Sequence, residues 1–242
     1  QTTDTYVKAR IPEALGHTYA MHWPFYQYQT ARNLIQSPLH QALLDQGACF
    51  GEVGGYERPN WFARNGAPAE YDYSYKRQNW FEFSAAEHTA VRENVGVYDI
   101  SSFGKFEVTG KDAVTTLQNL SCANIDVDHG QVVYTQWLNE RGGIEADLTI
   151  ARLAANRFWV ITGIASLNRD WWRLKKNLLG QTEITDVTTQ HACLSVQGPD
   201  ARRLLQHITD SDLSADGFAF GSGRFAQVAN STVWMQRLSY VG

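Results

Sequence analysis

The stretch "YTQWLNERGGIEADLTIARL", residues 134–153, decides the fold. It reads as a strand, a turn and a second strand, with the twin glycines Gly142 and Gly143 letting the hairpin turn tightly or letting a ligand approach the backbone. Within the second strand stands one carboxylate, Asp147, between Ala146 and Leu148. Strand interiors disfavour Asp. Side chains alternate along a strand, so Asp147, Thr149 and Ala151 share one face, while Leu148 and Ile150 share the other and suit a core. A strand with one greasy face and one small, acidic face is expected to line a pocket. With a five-residue turn, Thr135 stands opposite Asp147, a pairing that a one-residue slip undoes.

Working outward, "QVVYTQWL", "GIEADLTIARL" and "RFWVIT" are three strands separated by "NERG" and "AANR" turns, an antiparallel meander. Upstream, "VYDISSFGKFEVTG" alternates as a strand pair. "KDAVTTLQNLS" puts Ala113, Val114, Leu117 and Leu120 on one helical face. Ser84 with Glu87 three residues on predicts a capping box, and Gly96 a left-handed helix end. Ser166 is placed to cap a helix "LNRDWWRLKKNLL" that stops at Gly180, on which only one of Trp171 and Trp172 can face the core. "FEVTGKDAVTTLQNL" and "LSVQGPDARRLLQHI" share Val, Gly, Asp-Ala, Leu and Gln at matching offsets. This fits either a convergent strand-glycine-helix unit or two related α+β halves with a site between them. The fold class is α+β.

Residues 1–66 differ: "HTYAMHWPFYQYQTARN" and "GGYERPNWFARNG" are dense in aromatics, Gly, Pro and Asn and read as an extended or loop-rich arm or as a segment packed on another domain, with a short helix within 34–44 interrupted by Pro38. Three segments follow: a joining segment at 1–66, a first half at 67–190 and the start of a second at 191–242. Opening on Gln1 and stopping in the strand-like "RLSYVG", the sequence reads as a piece of a longer polypeptide.

The chain has 242 residues, 43% hydrophobic and 19% charged, with a net charge of -4. That balance gives no pull toward nucleic acid. Cys49, Cys122 and Cys193 are far apart and form no C-x-x-C pair, so neither a metal site nor a disulfide framework is expected, and a reducing compartment is the default. No apolar run approaches the roughly 18 residues of a membrane span, and no signal peptide is seen.

By physics alone, Asp147 fits a solvated sheet edge, a base, a cation partner or an orienting group for a ligand amine. The longer context narrows this. "EHTAVRENVGVYDISSFGKFEVTGKDAVTTLQNLSCANIDVDHGQVVYTQWLNERGGIEADLTIARLAANRFWVITG" closely resembles the tetrahydrofolate-binding domain of dimethylglycine and sarcosine dehydrogenases, itself similar to the aminomethyltransferase (T-protein) of the glycine cleavage system. "HTYAMHWPFYQYQTARN…SPLH…GACFGEVGGYERPNWFA" resembles the segment joining flavin and folate domains in those enzymes. The resemblance implies an aminomethyltransferase-like folate-binding fold, incomplete at its C-terminal end, and tetrahydrofolate as cofactor. It also implies FAD in a missing upstream domain of the same polypeptide. In such enzymes a flavin oxidises an N-methyl amine to an iminium, and the one-carbon unit passes to tetrahydrofolate. Asp147 matches the Asp of "GGxxxDLT" that reaches the folate, and so carries the catalytic role.

Tyr240 matches a family tyrosine at the pterin pocket; Thr135 and Tyr134 lie on the strand next to Asp147 as candidates to line it, with packing the favoured role of Tyr134; Gly163 is the remaining folate-site position. Gly163 falls where glycine cleavage relatives carry a polar contact that glycine has no side chain to make. The family's acidic pterin partner falls past Gly242, so weak folate binding and self-association are expected of the isolated chain. The partners implied are folate, a methylated amine and the missing flavin domain, with no nucleic acid and no membrane. The compartment implied is the cytoplasm, or the mitochondrial matrix in a eukaryote. Two other readings stay open: a non-catalytic module on the same fold, and a stand-alone folate-dependent transferase, against which the joining segment argues.

Overall fold

The computed structural model describes residues 4–239, so Tyr240 lies outside the described residues. In chain order the elements are α1 (Asp4–His17), α2 (His40–Asp45), β1 (Ala48–Val53), β2 (Tyr56–Phe62), α3 (Phe81–Glu93), β3 (Gly96–Asp99), β4 (Gly104–Thr109), α4 (Ala113–Leu120), β5 (Val132–Leu138), β6 (Ile144–Ala154), β7 (Arg157–Thr162), α5 (Leu167–Lys176), β8 (Glu183–Asp186), β9 (Leu194–Gln197), α6 (Ala201–Gln206), β10 (Gly223–Val228) and β11 (Ser231–Gln236). Helices alternate with antiparallel strands, the expected α+β class. Two compact units form: residues up to Ser102 together with Ala192–Pro199, and Phe103–His191 together with the residues from Asp200 onward.

In the first unit, β1 and β2 pair as a hairpin turning on Gly54 and Gly55, both at positive φ. Behind it Trp61, Cys49 and Ala63 are buried against Tyr71, Trp80 and Phe83, with the Trp61 and Phe83 rings stacked at 5.5 Å. β3 pairs with β9.

The loop-rich arm expected at 1–66 is corrected, because α1 is a 14-residue helix. Periodicity misses it because the helix is inverted. Arg10 is buried, while Ile11 is 50% and Leu15 62% exposed. Arg10 pairs with Glu52 at 2.9 Å and donates to the Thr30 carbonyl. Glu13 accepts from the backbone N–H groups of Gln29 and Thr30 and from the hydroxyls of Tyr26 and Thr30. Charged groups, not apolar ones, tie this helix down.

The capping box is also corrected. α3 begins a turn earlier, at Phe81, with no side-chain cap, because Glu87 accepts from the Phe62 N–H instead. Gly96 is not left-handed. It sits in β3, where a Cβ would come within 2.5 Å of Val91, so close approach selects glycine there.

The second unit holds a five-stranded antiparallel sheet in the order β5-β6-β7-β4-β8. The meander β5-β6-β7 forms as the alternation predicts. One face carries Phe106, Val108, Trp137, Leu148, Ile150, Phe158 and Val160, packed with Ala113, Leu117 and Leu120 of α4 and Leu174 of α5. Each large side chain buried here contributes about 1.5–3 kcal/mol. Trp171 packs edge-on to Phe106, and Trp172 faces solvent. α5 ends at Lys176 rather than near Gly180, and Ser166 makes no cap: its hydroxyl accepts from Arg169.

The two matching strand-glycine-helix segments share a backbone feature. Gly110 and Gly198 both adopt φ +115°, and a Cβ on either would strike a carbonyl oxygen, of Gln181 and Asn94 respectively.

The α1 anchor carries a pH signature. Burial pushes the Glu13 carboxyl up, but the hydrogen bonds from Thr30, Gln29 and Tyr26 overcome it and hold the group at about 2 instead of 4.5. A carboxyl depressed in the folded state stabilises above its unfolded value and loses that contribution as pH falls through the folded one. Glu13→Gln should therefore flatten the decline in stability between about pH 4.5 and 2, measured by denaturant melts along that series. Parallel curves for the two proteins would exclude the anchor.

Candidate functional site

The turn between β5 and β6 has the five residues expected, 139–143, and begins by pairing Leu138 with Ile144. Asn139 builds it: its side-chain carbonyl accepts from the N–H groups of Arg141 and Gly143, and Gly142 supplies the positive φ. One step on, the register slips. Trp137 pairs with Ala146, leaving Glu145 as an extra residue in β6.

The bulge decides the site. Thr135 stands opposite Leu148, not Asp147, and Gln136 takes the place opposite Asp147. Thr135 is thereby turned to the packed face. It is 1% exposed, and its hydroxyl accepts from the Ala123 N–H at 3.0 Å. Tyr134 is turned to the face of Asp147, and its hydroxyl donates to the carboxylate Oδ2 at 2.7 Å. The structure brings Asp147 and Tyr134 together and separates Thr135 from both.

The Asp147 face continues through Gln136 and Thr149, then Ile161, Trp159, Lys105 and Glu107 by strand pairing. Asp147 is exposed on it, while further along the same face Val132, Ala151 and Trp159 are buried with Trp234 of β11 packed against them; α4 and α5 pack on the opposite, Leu148 face. A cleft of about 720 Å³ elsewhere in the unit is lined by Cys122, Asn139, Arg141, Arg173 and Asn177, among others, and not by Asp147. Gly163 follows β7 in extended backbone, and a Cβ there would meet no heavy atom within 4 Å.

Further along this face, Glu107 accepts from Arg157 Nε and Nη2 and from the Trp159 indole, which fixes the ring. The His191 ring lies 4.9 Å from Trp159. Partial burial lowers its pKa, the nearby Lys105 and Arg157 lower it further, and Glu107 opposes them. His191 and Gln136 were not singled out from sequence. Gln136 would follow from the alternation once the bulge is known. His191 reaches the face from a segment with no period of its own.

The structural class is that of the aminomethyltransferases. Glycine cleavage system aminomethyltransferase T from Bartonella henselae superposes with a TM-score of 0.68 at 26% identity, over 86% of this chain and 51% of that one. Residues 39–242 match the GCVT N-terminal domain, and the chain belongs to that aminomethyltransferase family. Residues 1–37 match the FAD dependent oxidoreductase central domain. The 4-methylaminobutanoate oxidase (formaldehyde-forming) of Paenarthrobacter nicotinovorans is 44% identical over the whole of this chain and 30% of its own length. Human mitochondrial sarcosine dehydrogenase is 32% identical over 98% of this chain and 30% of its own. The chain thus spans less than a third of the length of these curated relatives. Among the described residues no helix is long and apolar enough to cross a membrane.

The division of roles between Thr135 and Tyr134 is measurable. Thr135→Val leaves the Ala123 N–H without its acceptor and should cost about 1–3 kcal/mol of stability, read from denaturant melts. A stability equal to wild type would show that the hydroxyl has no structural role.

Proposed function

We propose that the chain is the folate-binding portion of a flavin-dependent N-methyl amine dehydrogenase or oxidase, passing the one-carbon unit of an iminium to tetrahydrofolate. The observation that carries this reading is Asp147. A core strand presents its exposed carboxylate on the sheet face opposite α4 and α5, held on one oxygen by Tyr134. The matches to an aminomethyltransferase domain and to a flavin oxidoreductase domain within one chain support it. In this reading 1–66 joins the flavin and folate parts, 67–190 is a first folate-binding half and 191–242 begins a second. Its partners are folate, a methylated amine, the flavin domain and further copies of the chain. Its compartment is the cytoplasm or, in a eukaryote, the mitochondrial matrix; the human relative is named as mitochondrial.

The residues present fit such a ligand: an exposed carboxylate for an N–H group, and open space at Gly163 beside the same face. Tetrahydrofolate, when bound, supplies the nucleophilic nitrogen that takes up the one-carbon unit. Asp147 serves the reaction twice. Its negative charge steadies the cationic iminium, and its free oxygen accepts the proton that the attacking nitrogen must lose. Tyr134 fixes the carboxylate, while the Leu148 and Ile150 core beneath holds the strand rigid.

A second reading has its own observation. The relative at 44% identity is named for forming formaldehyde. On that reading the one-carbon unit leaves by hydrolysis and the folate-type domain captures none of it.

One experiment separates them. In the full-length parent enzyme, Asp147→Asn keeps the shape and removes the charge and the base. It should leave tetrahydrofolate affinity within roughly tenfold, slow methylene transfer about a hundredfold, and raise formaldehyde release. Unchanged transfer would remove Asp147 from the mechanism. A wild-type enzyme that releases all its one-carbon product as formaldehyde at saturating tetrahydrofolate would favour the second reading.

A further inference from the structure

We propose that Tyr134 is a positioning residue for one-carbon transfer, acting through Asp147 by holding one oxygen of its carboxylate and leaving the other for the reacting nitrogen. The inference rests on the function proposed above. It starts from the bulge at Glu145. Tyr134 pairs with Thr149, so Asp147 is its diagonal neighbour on the same face. Diagonal positions on adjacent strands are about 7–8 Å apart, a span that a tyrosine covers and shorter side chains do not. The hydroxyl meets Asp147 Oδ2 at 2.7 Å, a length typical of charge-assisted O–H···O⁻ bonds.

Stability does not account for this bond. Tyr134 is 60% exposed. Fixing an exposed ring and an exposed carboxylate costs rotamer freedom, and such surface pairs return little. What the bond does is geometric. A free aspartate on an open face rotates about its side-chain bonds and presents either oxygen in many directions. With Oδ2 held, Oδ1 has one direction, and among the described residues no hydrogen bond is seen at it. A base that must take a proton within hydrogen-bond reach gains from that restriction.

Chemically, Asp147 Oδ1 accepts the proton lost as the folate nitrogen bonds to the iminium carbon. The electron pair of the C=N π bond moves onto the amine nitrogen, and the remaining C–N bond breaks as that nitrogen takes up a proton, so that the demethylated amine leaves and the one-carbon unit stays on the folate. Tyr134 keeps its own proton throughout and touches neither reacting atom. Phenylalanine keeps the ring and removes only the hydroxyl.

The test uses the full-length flavoenzyme, with tetrahydrofolate and whichever of sarcosine, dimethylglycine or 4-methylaminobutanoate reduces its flavin. Single-turnover capture of the one-carbon unit is measured at saturating tetrahydrofolate, and tetrahydrofolate affinity is measured separately. Tyr134→Phe should slow capture about tenfold with affinity within roughly threefold. In an Asp147→Asn background the same change should have no further effect on capture, because there is no carboxylate left to position. Capture at the wild-type rate in Tyr134→Phe, alongside slow capture in Asp147→Asn, overturns the positioning role and leaves the proposed function standing. Weaker binding with unchanged capture at saturation makes Tyr134 a ligand contact and also overturns it. Wild-type capture in both variants removes Asp147 from the mechanism and the positioning role with it, whereas a wild-type enzyme that captures none of the one-carbon unit defeats the proposed function itself.

Discussion

Glu145 is one residue more than its partner strand can match, and the arrangement of side chains around Asp147 depends on that excess. Without it, the five-residue turn would place Thr135 across from Asp147 and send Tyr134 toward the core. With it, a small hydroxyl is buried where it satisfies a backbone donor, and a long, exposed hydroxyl comes within reach of the carboxylate. A bulge also twists and bends its strand locally, and such irregularities gather beside functional groups. The Asn139 side chain secures the region: its carbonyl accepts within the turn, and its amide donates to the Glu145 carboxylate at 2.8 Å.

The sheet gives this local geometry a rigid base. Beneath Asp147 and Thr149 lie Leu148 and Ile150, buried against α4 and α5. A carboxylate on the far side of so closely packed a strand moves little with the backbone, so its freedom is confined to its own torsions. Chemistry on one face of a strand is thereby steadied by burial on the other.

Much of this was legible in the amino-acid order. The meander, the apolar face of α4 and the single core tryptophan of α5 all follow from period-two or period-3.6 patterns backed by burial, and the paired strand-glycine-helix segments follow from residues at matching offsets. What escaped was whatever lacks a local pattern. Nothing around Glu145 marks it as an extra residue, since both registers keep Leu148 and Ile150 inward. The Ser84–Glu87 spacing suits a capping box, yet a distant N–H at Phe62 won the carboxylate. Gly96 was selected by contact with Val91, not by dihedral angle. At the site, motif resemblance singled out Asp147, the neighbouring strand added Tyr134 and Thr135, and only the three-dimensional register tells those two apart.

Helix α1 carries a consequence of a different kind. Its inward contacts are made by Arg10 and Glu13, and its aliphatic residues Val7, Ile11 and Leu15 stand outside. Tolerance to mutation along it then runs against its hydropathy profile. The aliphatic positions can drift toward polar residues within this unit at small cost, whereas Lys for Arg10 or Asp for Glu13 gives up geometry that reach or charge alone does not replace. In a comparison of diverged sequences, the variable positions of this helix would be the greasy ones and the constant positions the charged ones.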